Sequence, residues 1–163
     1  MKSDTKLLDQ MIKNLRKMQG MKVEWGFFDD EYADPRGVSK VSEVAQLVED
    51  GHPNGGIFEG TSTPERPFFK AAASSKENQR AVSALIKKNQ RKVLQGKMTI
   101  EQKLDEVGEL LVRQLQDSIE NFAGTPTEAT IAMREKRGES GTDVLIETGT
   151  LWTGVEYQLK EVK

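Results

Sequence analysis

The sequence predicts an α+β fold, in which a small antiparallel or mixed sheet is packed by helices, one of them long, with extended loops. Three observations carry this reading. Apolar residues recur at spacings of three and four over residues 4–19, 41–50, 67–95 and 100–122, the period of one helix face. Two short segments alternate instead: Val23, Trp25 and Phe27, and later Val155, Tyr157 and Leu159, the period of half-buried strands. Between them lie stretches rich in Gly, Pro and polar residues. With 163 residues, the chain has the size of one domain, 1–163.

Each element has its own signals. In the first helix Leu7, Leu8, Met11, Ile12, Leu15 and Met18 form an apolar face, with Ser3 placed to cap it and Gly20 to end it. Residues 29–40, acidic and containing Pro35 and Gly37, read as a loop. Val41, Val44, Ala45, Leu47 and Val48 define a short helix that Gly51 stops. Residues 52–64 are loop by composition. The next helical stretch starts near Pro67, tolerated in a first turn, and runs through Val82, Leu85, Ile86 and Val93 until Gly96 interrupts it. Thr99 and Gln102 have capping-box spacing and open the longest stripe: Ile100, Leu104, Val107, Leu111, Leu115, Ile119 and Phe122. Gly124 and Pro126 close it, and residues 135–143 form a polar, glycine-bearing excursion.

Composition excludes several classes. With 24 basic and 26 acidic side chains the net charge is -2, which argues against a nucleic-acid binder acting by bulk charge. No apolar run reaches the roughly 18 to 20 residues that span a bilayer, which predicts no membrane partner. The opening residues lead into an amphipathic segment rather than a signal-peptide core. The absence of cysteine removes disulfides, thiolate metal sites and thiol nucleophiles, and one histidine, His52, leaves little scope for His-based catalysis or zinc.

The search for chemistry returns no constellation. Neither GxxxxGK(S/T) nor GxGxxG occurs. Gly138, Glu139, Ser140 and Gly141 fall one residue short of a nucleophile elbow and sit in a polar segment. Asp29, Asp30, Glu31 and Asp34 have the oxygen chemistry for a hard cation but not the spacing of a calcium loop, so a solvated acidic turn is favoured. His52 follows a helix end, where an imidazolium suits the dipole. Lys87, Lys88, Arg91 and Lys92 form a basic cluster without interleaved aromatics, which favours a solvated or protein-facing surface over a phosphate-binding one. Trp25 and Trp152 read as core or interface anchors. The expectation is a non-enzyme without catalytic residues, metal or cofactor.

Charge is unevenly placed. Residues 29–65 carry nine acidic against two basic side chains, net -7, whereas residues 70–103 carry nine basic against two acidic, net +7. Opposite patches on one chain suit head-to-tail self-association, although two independently solvated faces would have the same composition.

Three segments, in order, resemble one family. Val23 to Phe27 followed by Val44-Ala45-Gln46-Leu47-Val48-Glu49-Asp50-Gly51 is similar to a strand, loop and VAxxxExG opening. Thr63-Pro64-Glu65-Arg66-Pro67-Phe68-Phe69 is similar to an IPxRPFL turn into a helix. Pro126 to Thr130, Lys136, Gly138 and then Leu145-Ile146-Glu147-Thr148-Gly149-Thr150-Leu151 resembles an LxPxTxxxKxxxG…PLIDTGxLxxSI ending. These are the marks of phage virion-morphogenesis and tail-completion (neck) proteins of the HK97 gene-product-10 type. The resemblance covers about residues 21–160. Val144 stands for the family's proline, Glu147 for its aspartate and Trp152-Thr153-Gly154 for its polar run, while residues 70–123 match only as helix.

The resemblance implies a virion protein that forms a hexameric ring at the head–tail junction, with portal, adaptor and tail proteins as partners and DNA only passing through the lumen. A tail terminator capping the tail tube is the nearby alternative. A small nucleic-acid-associated protein using the basic cluster is the alternative from another class. The expected interface residues are Arg66, Phe68, Phe69, Asp29, Asp30, Glu31, Asp34, Lys87, Lys88, Arg91, Lys92 and Trp152. Pro64 and Pro67 bracket Arg66 and aim its guanidinium, which suits either an internal salt bridge or an intersubunit contact. Thr148 is placed to cap a helical turn over residues 149–153.

Overall fold

A computed structural model of the chain describes residues 2–28, 31–34, 37–51, 65–121 and 150–162. The architecture is α+β. Among the described residues the helices are α1 (Lys2–Gln19), α2 (Val41–Asp50), α3 (Phe68–Ser74), α4 (Lys76–Leu94), α5 (Ile100–Glu120) and α6 (Thr150–Thr153). The strands are β1 (Met21–Phe27), β2 (Glu31–Asp34), β3 (Gly37–Lys40) and β4 (Val155–Glu161). They form two small sheets, β1 with β4 and β2 with β3.

The chain divides into two compact units of interleaved segments. The first holds Met1–Gly26, Ser74–Gln114 and Glu156–Lys163, and the second Phe27–Ala73 and Leu115–Val155. In the first unit α1 lies along α4, and β1 pairs with β4. Val162 N–H donates to the Gly20 carbonyl at 2.8 Å, and the Lys160 ammonium reaches Glu24 at 2.5 Å, so the strands are matched in opposite senses. Val93 (α4), Ile100 and Val107 (α5) are its buried apolar residues. The turn from α4 to α5 needs Gly96, whose φ of 70° lies in the left-handed region. The capping box forms as its spacing predicts: Gln102 N–H donates to Thr99 Oγ1 at 3.2 Å, and Thr99 N–H to Gln102 Oε1 at 2.9 Å.

In the second unit Val41, Val44 and Ala45 of α2, Phe68 and Ala72 of α3, Leu115 and Ile119 of α5, Leu151 and Val155 form the buried core. Phe68 meets Phe27 edge-on, with ring centroids 6.1 Å apart and planes at 89°. Ser118 Oγ, on α5, donates to the Phe68 carbonyl at 2.7 Å.

Several expectations need correction. The helix expected from residue 4 begins at Lys2, which puts Ser3 inside its first turn rather than at the cap. Its six apolar residues do not share one buried face: Leu8, Ile12 and Leu15 are 55%, 41% and 43% exposed. Leu47, expected to point inward, is 41% exposed. The loop expected over residues 29–40 contains the antiparallel hairpin β2–β3, registered from Glu31 opposite Lys40 to Asp34 opposite Gly37. Four-residue strands of mixed polarity are too short to show a period-2 signal. The helix expected from Pro67 to Val93 is two helices, parted at Ser75, whose hydroxyl accepts the Asn78 N–H at 3.3 Å as the cap of α4. Loops 52–64 and 135–143, His52, Phe122, Ser140, Val144 to Ile146 and Thr148 lie outside the described residues.

Candidate functional site

The division into units sorts the charge. The first unit carries 17 basic against 10 acidic side chains, net +7; the second carries 7 against 16, net -9. The two charged segments of the sequence fall largely on different sides of this division: residues 29–65 lie wholly in the second unit, and of residues 70–103 all but 70–73, with Lys70, lie in the first.

In the first unit the basic surface belongs to α4 and α1. Lys87, Lys88 and Arg91 are exposed and Lys92 is half-buried, around Ile86 at 37% exposure. On α1 the side facing its neighbours is held by Asn14, whose Nδ2 donates to the Val93 carbonyl at 3.2 Å, and by half-buried Met11 and Met18. Leu8, Ile12 and Leu15, spaced by four and three, therefore line a second, outward stripe. Lys103 of α5 is buried, and its ammonium donates to Gln90 Oε1 at 2.9 Å with Met18 Sδ at 3.5 Å. Burial pushes its pKa below the usual lysine range. Asn89, fully buried, donates to Glu106 at 2.6 Å, and its own Oδ1 has no donor among the described residues.

Glu24 accepts from Lys160 at 2.5 Å and from Lys22 at 2.6 Å, and these two ammonium groups, Lys160 first, hold its carboxyl down at about 2. A depressed carboxylate stabilises the fold above the unfolded carboxyl pKa, about 4.3, and that contribution is lost as pH falls toward 2. Glu24→Gln should therefore match the parent chain at pH 2 and fall below it at pH 6 in thermal melts. A gap that does not narrow in acid would count against this pairing.

In the second unit Phe27, Ala45, Gln46, Glu49, Phe68 and Phe69 line an open cleft of about 280 Å³, with Ser42 and Lys70 at its margin. Glu49, one of the nine acids of residues 29–65, is only 9% exposed. Its carboxylate accepts the backbone N–H groups of Phe69 at 2.8 Å and Lys70 at 2.9 Å, satisfying the orphan donors at the start of α3. Lys70 stands near Asp50 at 3.6 Å and Glu65 at 3.8 Å, in exposed pairs of little energetic weight.

The expected interface residues have different surroundings. Phe68 is 1% exposed and belongs to the core of the second unit, and Arg66 is 9% exposed, its backbone N–H donating to the Val48 carbonyl at 3.1 Å. Phe69 is half-buried at the cleft. Trp152 is half-buried; its carbonyl accepts Gln116 Nε2 at 3.1 Å, and its indole nitrogen has no acceptor among the described residues. Glu31 and Asp34 are the end residues of β2, and Asp29 and Asp30 lie outside the described residues. The basic cluster of α4 and the acidic positions of β2 thus belong to different units.

Sequence reasoning missed the cleft, which brings Phe27 together with α2 and α3, and it missed the outward stripe of α1. It also missed Gly108, buried in α5 against the Tyr157 ring. A glycine inside a strongly helical stripe was the available signal. Tyr157 donates to Asp105 at 3.3 Å, and burial first, then the Asp105 charge, raises its pKa.

Among the described residues no group of three or more His, Cys, Asp or Glu side chains is placed to hold a metal ion, and no helix is long and apolar enough to cross a membrane. No protein-family model, no curated protein and no solved structure matches the chain.

Proposed function

We propose that the chain is a self-assembling structural subunit, a neck or tail-completion protein that forms a ring at the head–tail junction of a phage virion. The observation that carries self-assembly is the charge division, a unit of +7 and a unit of -9 within one near-neutral chain. The virion setting, the sixfold ring and the portal, adaptor and tail partners come from the three ordered motifs, as does the neighbouring reading of a tail terminator. Sedimentation and electron microscopy of the purified chain test this. Rings at low salt that dissociate as screening rises are the expected result. A monomer at every concentration and ionic strength would overturn it.

A second reading rests on the exposed Lys87, Lys88 and Arg91 with Lys92 on α4: a nucleic-acid-associated protein whose affinity falls steeply with salt. A chain that leaves duplex DNA unbound at low salt removes that reading.

A further inference from the structure

We infer that the α1 stripe of one copy, Leu8, Ile12 and Leu15, inserts into the Phe27–α2–α3 cleft of a second copy. This deepens the self-assembly reading and rests on it. Three observations meet here. The stripe is apolar and open, with its three side chains between 41% and 55% exposed among the described residues. The cleft is lined by Phe27, Ala45, Phe68 and Phe69, and its volume of about 280 Å³ exceeds the roughly 150 Å³ that admits a benzene-sized group. It therefore has room for a leucine or isoleucine side chain. The charges of the two helices are complementary: α1 carries five basic against two acidic side chains, net +3, and α2 presents exposed Glu43 and Asp50 and no basic residue, with Lys70 of α3 the one base at the margin of the cleft among the described residues.

The match extends to the rims. Arg16 follows Ile12 by four residues and borders the stripe, while Glu43 and Asp50 share the exposed face of α2 with Leu47. Leu47 itself, 41% exposed beside Gln46 at the cleft, extends the apolar surface that the stripe would cover. The chemistry that recognises the cleft is thus an amphipathic basic helix, and the occupant is α1 of another copy. The contact joins two different surfaces. Every copy added leaves one stripe and one cleft unused, so the assembly grows head to tail, and it ends as a ring where the rotation between copies closes.

The experiment uses two surface variants, Ile12→Ser/Leu15→Ser in the stripe and Gln46→Trp at the cleft, both exposed positions whose folding is checked by circular dichroism. Each alone should associate at least tenfold more weakly than the parent chain in sedimentation. Mixed together, they should form a 1:1 complex and nothing larger, because one intact stripe and one intact cleft remain. As a second measurement, the chain has no cysteine of its own, so Leu15→Cys and Gln46→Cys copies can be mixed with a short bifunctional thiol reagent. The expected product joins unlike copies. A parent chain that assembles while both variants assemble equally well overturns this docking mode and leaves the self-assembly reading standing. Leu15→Cys copies joined only to each other would overturn it in favour of an α1–α1 contact. A parent chain that never assembles overturns both.

Discussion

Phe68→Ala should cost about 4 kcal/mol of folding stability, the largest loss expected from a single truncation here. The side chain is 1% exposed and is the largest fully buried one among the described residues. Its ring stands edge-on to Phe27, and that geometry adds to the value of the buried area itself. The backbone around it is fixed independently: Phe68 N–H donates to the Arg66 carbonyl at 2.8 Å, and its own carbonyl accepts Ser118 Oγ. Neighbours held in this way cannot collapse far into the void, which places the cost in the upper part of the usual range. Phe68→Leu keeps most of the volume and loses the ring pair, so about 1.5 kcal/mol is expected. Urea unfolding at one fixed protein concentration would measure both, with the slope unchanged. Equal losses for Ala and Leu would show that packing volume is not what Phe68 contributes.

Gly108→Ala is the second large effect, and its sign opposes helix propensity. In an exposed helix interior, Ala in place of Gly gains about 1 kcal/mol. Here the new Cβ would lie 2.3 Å from Tyr157 Cδ2 and 2.4 Å from Cγ, distances no carbon pair sustains. The ring cannot simply swing aside, because its backbone belongs to β4 and its hydroxyl is held by Asp105. Overpacking of this kind leaves a net loss of about 2 kcal/mol, or a melting temperature lower by about 5 °C for a chain of this size. Tyr157→Ala removes the colliding atoms, so Gly108→Ala added to it should cost nothing further. A single Gly108→Ala chain that melts at or above the parent temperature would refute the close approach.

The legible parts of this molecule were local. Thr99 and Gln102 announce the start of α5 because both halves of a capping box lie within four residues. Gly51 and Gly96 mark turns through their positive φ, and β1 and β4 are long enough to show alternation. What escaped the reading depends on distant chain. Whether Leu8 or Met11 faces inward is decided by where α4 lies, since both are apolar and neighbouring on the helical wheel. Glu49 read as one of nine acids in a charged segment and as the glutamate of the VAxxxExG-like motif, and only the arrival of α3 turns it into an acceptor for two backbone N–H groups. Ser75 breaks a continuous helical pattern because its hydroxyl can cap α4, an option that periodicity does not register. The proposed docking surfaces were half legible: the unequal charge showed in the sequence, while the cleft needed distant segments brought together.

The pairing of β1 with β4 sets a timetable for biosynthesis. The two strands are separated by 127 residues, and no other strand flanks either one among the described residues. At the usual rate of about 5 to 20 residues per second, β1 leaves the ribosome on the order of ten seconds before its partner exists. During that interval it is an unpaired edge carrying Val23, Trp25 and Phe27, the kind of template on which nascent chains aggregate. Lys22 and Glu24 flank Val23, and Glu24 also neighbours Trp25, so the strand spends its wait with charges beside two of its three apolar side chains. When β4 arrives, Lys160 meets the same Glu24. The carboxylate that protects the young edge thus becomes the point at which the finished one is closed.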